Sequence, residues 1–243
     1  MSFPIKPDPG RRRFVGHSLL ALTAVGLGST GALAARLDTR PPALDRYQPV
    51  FFKADEWRFI KAAVDRLIPA DDTGPGALEA NVPVFLDLQL ASDYGEAASW
   101  YMQGPFVPDA PSVFGYQLPY TPAELYRAAI AAIDAHCRKA HGDAFAALTT
   151  ADQEHVLSSL ENGDIQLPDT DRGPLPARSF FGFLLKNTKE GFLADPIYGG
   201  NKHMVGWKML GFTGARASFR EWVDQYDRPY PLGPVSLSGE ISR

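Results

Sequence analysis

Residues 195–207 read Asp-Pro-Ile-Tyr-Gly-Gly-Asn-Lys-His-Met-Val-Gly-Trp, and this stretch organises the interpretation of the whole chain. The proline that follows Asp195 disfavours the α region at that residue, so a helix that runs into the stretch should end there. Gly199, Gly200 and Asn201 all tolerate positive φ, which suits a tight turn or a close approach of backbone to another group.

Large apolar side chains flank these small residues, among them Tyr198, Met204, Trp207 and Phe212. Glycines beside large aromatics fit two structures. One is a surface that a partner covers, and the other is a tight internal turn whose aromatics complete the chain's own core. The residues alone leave both alternatives open.

The stretch resembles the signature of the gluconate 2-dehydrogenase subunit 3 family, the small subunit of membrane-bound flavoprotein dehydrogenases for sugars and sugar acids. The family pattern reads Asp-Pro-Ile-Tyr-Gly-Gly-Asn, a basic residue, often an acidic one, and then Met-Val-Gly-Trp. His203 occupies the position at which the acidic residue is common. Two weaker stretches, residues 67–77 and 101–106, extend the resemblance over most of the mature chain.

The resemblance implies a non-catalytic subunit that supports export, folding and stability of a large flavoprotein. The implied complex is a heterotrimer with FAD in the flavoprotein and haem c in a multihaem cytochrome. It would oxidise gluconate or a related sugar or polyol and pass electrons to quinone. The residues expected to form or brace the interface with the flavoprotein are Asp195, Pro196, Tyr198, Gly199, Gly200, Asn201 and Trp207. Residues 103–120, a loop, and residues 35–52, an extended arm, would enlarge that interface.

The N-terminus carries the pattern of a twin-arginine export signal. Arg11 and Arg12 precede a polar spacer and Phe14, and an apolar run over residues 18–27 follows. This run is too short and too interrupted for a stable transmembrane span. We therefore expect a periplasmic protein that associates with the inner membrane through its complex.

Small residues at Ala32 and Ala34 predict cleavage after residue 34, so that residues 1–34 form the signal peptide. An uncleaved amphipathic anchor is the alternative. The twin-arginine route carries folded proteins that hold a cofactor or ride with a partner that does. A chain without a cofactor motif of its own favours the partner explanation.

Composition limits the remaining possibilities. A chain of 243 residues is long enough for one domain with a sizeable core. A single cysteine, Cys137, excludes an intrachain disulfide and a thiolate-rich metal site. The formal net charge of −4, without a Lys/Arg stripe beyond the first residues, argues against nucleic-acid binding.

Apolar periodicity predicts an all-α fold, an irregular bundle of about five to seven helices with long loops rich in proline, glycine and aromatics. We assign residues 35–52 to an extended arm, free or along a partner, and residues 53–243 to a single helical domain with an extended tail. Capping boxes at Thr121 and Thr150 open two helices. The other predicted helices cover residues 57–68, 84 to about 102, 179–192 (the most buried) and 217–226.

No catalytic constellation is evident. His136 and His141 are five residues apart on a helix and diverge too far to share a metal ion. Nucleophile elbows, zinc motifs, phosphate loops and dinucleotide fingerprints are absent from the sequence. We expect no catalytic, cofactor-binding or metal residue here. The alternative is a stand-alone periplasmic enzyme or ligand-binding protein with a site around His203 and loop 103–120.

Overall fold

Six α-helices and no strand make up the regular structure in the computed structural model, which describes residues 43–108 and 110–241. Isolated β-bridges are the only extended pairings in that part of the chain. The prediction of an all-α fold with five to seven helices is confirmed. The helices are α1 (Ala54–Leu67), α2 (Val82–Leu90), α3 (Pro122–His141), α4 (Thr150–Asn162), α5 (Ala177–Leu193) and α6 (Val205–Leu210).

Side-chain caps start two of these helices. At the start of α3, the Thr121 hydroxyl accepts a hydrogen bond from the Glu124 N–H, and the Glu124 carboxylate accepts one from the Thr121 N–H. This is the capping box that the sequence predicts. The α4 cap is Thr149, whose hydroxyl accepts from the Asp152 N–H at 3.2 Å. The predicted cap at Thr150 is wrong by one residue, because the preceding threonine takes the role.

Two predicted helices differ from the structure. Helix α2 ends at Leu90 instead of continuing to about residue 102. The chain turns back there so tightly that a Cβ on Gly95 would lie 1.9 Å from the Leu90 carbonyl oxygen. The helix predicted over 217–226 is reduced to the 3₁₀ turn Arg220–Trp222. None of residues 217–226 is buried, so tertiary packing does not support a longer helix there.

The core is one apolar cluster in which α5 packs against α1, α2 and α4. Aromatic rings fill its centre. The ring centroids of Phe59 and Phe145 are 4.6 Å apart, and those of Phe180 and Tyr126 are 5.3 Å apart. The expectation that α5 is the most buried helix is wrong. Seven of nine residues of α2 are buried, because other parts of the chain cover it on several sides. None of the described helices has the length and apolarity needed to cross a bilayer.

Helix α2 carries a carboxylate into this core, and residues 47–52 hold it there. Asp87 is fully buried and accepts four hydrogen bonds. One donor is the Tyr47 hydroxyl at 2.6 Å, and the others are the N–H groups of Val50, Phe51 and Phe52 at 2.7, 3.0 and 2.9 Å. Burial and the neighbouring Asp87 raise the pKa of Tyr47, so that this hydroxyl remains a donor.

Arg127 of α3 makes a second set of contacts with the same segment. The Arg127 guanidinium lies over the Phe51 ring, 4.1 Å from its centroid, and donates to the Phe51 carbonyl at 2.7 Å. It also donates to both carboxylate oxygens of Glu56, at 2.9 and 2.7 Å. Residues 43–52, expected to lie free or along a partner, therefore pack on the chain's own helices. The reason is that a buried charge in α2 requires donors.

Replacing Asp87 by asparagine should lower the free energy of unfolding by about 3 kcal/mol, because the amide keeps one acceptor oxygen and turns its NH₂ group toward backbone donors. Urea titration of the full chain measures the change. Asp93→Asn, at an exposed position just beyond α2, is the matched control and should change stability by less than about 0.5 kcal/mol. Equal stability of the two variants would contradict the role of Asp87.

Candidate functional site

The signature stretch is braced from within at the end of α5. Asn201 is fully buried, donates from Nδ2 to the Ala194 carbonyl at 2.8 Å, and accepts from the Gly206 N–H at 2.8 Å. The Trp207 indole donates to the Leu193 carbonyl at 2.7 Å. These two side chains satisfy carbonyls that the end of a helix leaves without intrahelical donors. Asn201 and Trp207 thus fix the direction in which the chain leaves α5.

Asp195 caps the next turn and also contacts the C-terminal tail. One of its carboxylate oxygens accepts from the Ile197 N–H at 3.1 Å, which starts the 3₁₀ turn Pro196–Tyr198. The other oxygen accepts from the Leu237 N–H at 2.7 Å. Helix α5 ends at residue 193, as the Asp-Pro pair predicts. Asp195 and Pro196 are both buried.

The glycines of the signature allow close approaches inside the molecule. A Cβ on Gly200 would lie 2.2 Å from the carbonyl oxygen of Gly191 in α5. Gly199 adopts φ of +95°, and a Cβ there would lie 2.9 Å from Leu88 and 3.1 Å from Val84 of α2. Of the two structures that the sequence left open, these glycines form the tight internal turn.

The next residues hold an unusual backbone conformation. Asn201, His203 and Met204 all have positive φ, between 43° and 57°. Such angles are uncommon outside glycine and cost on the order of 1–3 kcal/mol each for residues that do not favour them. Met204 is fully buried, and its packing together with the Asn201 hydrogen bonds maintains the turn.

Two apolar side chains of the signature point outward. Ile197 is 44% exposed and Tyr198 is 49% exposed. Leu88 at the end of α2 and Leu193 at the end of α5 are also exposed and lie beside them: Leu88 meets Gly199, and Leu193 and Tyr198 border the same groove. We call these four residues the docking ridge. An apolar ridge of this kind is typical of a surface that a partner covers.

An open groove of about 820 Å³ runs beside the ridge, between α2, α5 and residues 94–100. Its floor is polar. The buried Asn187 accepts from the hydroxyls of Tyr94 at 3.1 Å and Tyr126 at 2.8 Å, and donates to Glu190 at 2.9 Å. Burial raises the pKa of both tyrosines, so they stay neutral donors. The network is internally satisfied, and this makes the groove a stable surface feature.

In the part of the chain that the structure describes, His203 does not line the groove beside loop 103–120. His203 is largely exposed, with Nδ1 3.9 Å from Glu240 Oε1 in the tail. The groove beside the loop is lined by residues of α5 and of the loop, including Phe183 and Tyr116, and His203 is not among them. Cys137 is buried, which raises its pKa to about 11. Within the described ranges, no group of three or more His, Cys, Asp or Glu residues is arranged to hold a metal ion.

The predicted site residues therefore separate into two sets. Tyr198 faces solvent, whereas the other six residues named for the interface lie inside and brace the turn. The export and cleavage residues, Arg11, Arg12, Phe14, Ala32 and Ala34, lie outside the described residues. Sequence reasoning missed Leu88 and Leu193, which join the ridge only through the tertiary fold. It also missed Asp87, although a lone acid within Val-Pro-Val-Phe-Leu-Asp-Leu-Gln-Leu was a signal that could have been used.

Gly200→Ala should destabilise the chain by about 2–3 kcal/mol, because the added methyl group must displace the α5 backbone. Thermal and urea unfolding of the full chain test this. Gly182→Ala, within α5, is the control, since a Cβ there meets nothing within 4 Å. This second variant should gain roughly 0.5–1 kcal/mol from improved helix propensity. A neutral Gly200→Ala would rule out the internal close approach as the reason for this glycine.

Comparison with known proteins finds a family and no individual relative. Searches of curated proteins and of solved structures give no significant match. A family model described as gluconate 2-dehydrogenase subunit 3 matches residues 54–214, from the start of α1 to just beyond α6. The match covers more than half of the 243 residues, and the chain therefore belongs to the gluconate 2-dehydrogenase subunit 3 family.

Proposed function

We propose that this chain is a non-catalytic accessory subunit of a periplasmic, membrane-associated dehydrogenase. Its main partner is a large flavoprotein that holds FAD and oxidises gluconate or a related sugar or polyol. A multihaem cytochrome c completes a heterotrimer and passes the electrons on. In this complex the chain supports twin-arginine export, folding and stability of the flavoprotein.

The observation that carries this proposal is the docking ridge. Its four apolar side chains lie within residues 54–214, the range that the family model matches. Leu88 and Leu193 stand at the ends of α2 and α5, and Ile197 and Tyr198 belong to the signature turn, which packs against both helices. A surface subunit of a complex needs such a rigid, partly exposed apolar patch. Covering it with the flavoprotein would remove the patch from water and stabilise both chains.

A pull-down tests the proposal most directly. The full chain with a C-terminal tag is expressed in its own host, purified from membranes, and scanned for flavin absorbance. We expect a co-eluting flavoprotein, with haem bands where the cytochrome is retained. A single colourless protein that elutes as a monomer would overturn the subunit assignment.

Export should depend on the arginine pair. Arg11→Lys together with Arg12→Lys should leave both this chain and the flavoprotein in the cytoplasm, because the partner then has no carrier. Dehydrogenase activity in periplasmic and cytoplasmic fractions measures the effect. Arg13→Lys, at the spacer position, is the matched control and should export normally. Normal periplasmic activity in the double variant would refute the carrier role.

Partner binding should depend on the ridge. Tyr198→Ala should weaken flavoprotein retention at least about tenfold, since truncating a central aromatic of an interface commonly costs 2 kcal/mol or more. Tyr226→Ala is the control, at a tail position outside the family match that is 78% exposed. Both variants should keep the unfolding temperature of the parent. Equal retention of the flavoprotein by both would place the interface elsewhere.

A further inference from the structure

Helix α2 is in contact with two functional elements on opposite sides. Asp87 holds residues 47–52 through four hydrogen bonds. Phe85 and Gln89 line the groove, and Leu88 belongs to the docking ridge. Positions two apart on an α-helix are rotated by roughly 200°, so Asp87 faces away from Phe85 and Gln89. One short helix therefore connects the arm to the docking surface.

The arm segment 47–52 closes only on an assembled core. Its partners are Asp87 in α2, Arg127 in α3 and, through Arg127, Glu56 in α1. When residues 47–52 open, the Asp87 carboxylate loses all four protein donors, and water takes their place on that side of α2. A helix of nine residues is marginal without tertiary support, so α2 is then free to shift.

A shift of α2 cannot leave the ridge unchanged. A Cβ on Gly191 of α5 would lie 2.8 Å from Phe85, and one on Gly199 would lie 2.9 Å from Leu88. The two glycines thus allow side chains of α2 to pack directly against α5 and the signature turn. Movement of α2 therefore displaces Leu88 directly and alters the support beneath Tyr198, which precedes Gly199.

We propose that α2 couples the arm to the docking surface, so that the ridge is competent to bind a partner only while residues 47–52 are closed on Asp87. The coupling rests on the proposed function for the identity of the partner, but it is a property of this chain alone. Because coupling between two sites is reciprocal, a partner on the ridge also holds the arm closed. Residues 47–52 are thus held most firmly in the assembled complex.

The first test uses the full chain without a partner. Tyr47→Phe removes one donor to Asp87 and should raise trypsin cleavage after Arg46 roughly tenfold, the cost of one hydrogen bond to a charged group. Amide exchange over residues 85–90 and 196–200 should rise several-fold with it. Tyr226→Phe, the matched control in the tail, should change neither. An unchanged cleavage rate would overturn the coupling. Faster cleavage, with amide exchange over residues 85–90 and 196–200 equal to that of the unmodified chain, would also overturn it.

The second test works in the opposite direction. Leu88→Ala perturbs the ridge and should speed cleavage after Arg46 several-fold, whereas Leu210→Ala, at an exposed position of α6, should not. In the purified complex, cleavage after Arg46 should be slower than in the free chain. Equal rates in complex and free chain would overturn the coupling. Failure to recover any flavoprotein would contradict the proposed function instead, and the exchange measurements would still decide the coupling.

Discussion

The fold depends on how the chain accommodates one buried carboxylate. Asp87 lies fully within the core, and every hydrogen bond that its carboxylate accepts comes from residues 35 to 40 positions earlier in the chain. Helix α2 therefore cannot reach its place without residues 47–52. Once α2 is in place, it supplies Val84 and Leu88 to the turn at Gly199 and Phe85 to α5 at Gly191. The arm, α2 and the signature are in this sense one structural unit.

Most residues of the signature stretch 195–207 stabilise the fold from inside the molecule. Its glycines bring the turn against the backbone of α5, and Asn201 and Trp207 satisfy the carbonyls at the end of that helix. Sequence patterns of small residues beside aromatics are compatible with a partner surface, but here the close approach is intramolecular. The outward apolar side chains are Ile197 and Tyr198, which precede glycines that pack against α2 and α5. The same short segment therefore braces the fold from inside and presents two apolar side chains to solvent.

Local signals predicted local features of this fold well. The Thr121 capping box and the stop at Asp195-Pro196 depend on residues within a few positions, and both are present. The early end of α2 was missed because the reversal at Gly95 follows from packing, which apolar spacing does not encode. The docking ridge could not be predicted either, since Leu88 and Leu193 come from two helices that pack together only in the folded chain. Asp87 could be noticed in the sequence, but its donors could not be assigned.

Exposed apolar side chains also occur in the tail, among them Val223, Tyr226 and Leu232. None of residues 217–232 is buried, so this segment lacks the internal support that the ridge has. A partner that binds a preorganised surface loses less conformational entropy than one that must order a segment as it binds. The ridge also lies within residues 54–214, which the family model matches, whereas the tail beyond residue 214 lies outside that match. Rigidity and family range both favour the ridge as the place where a common partner docks.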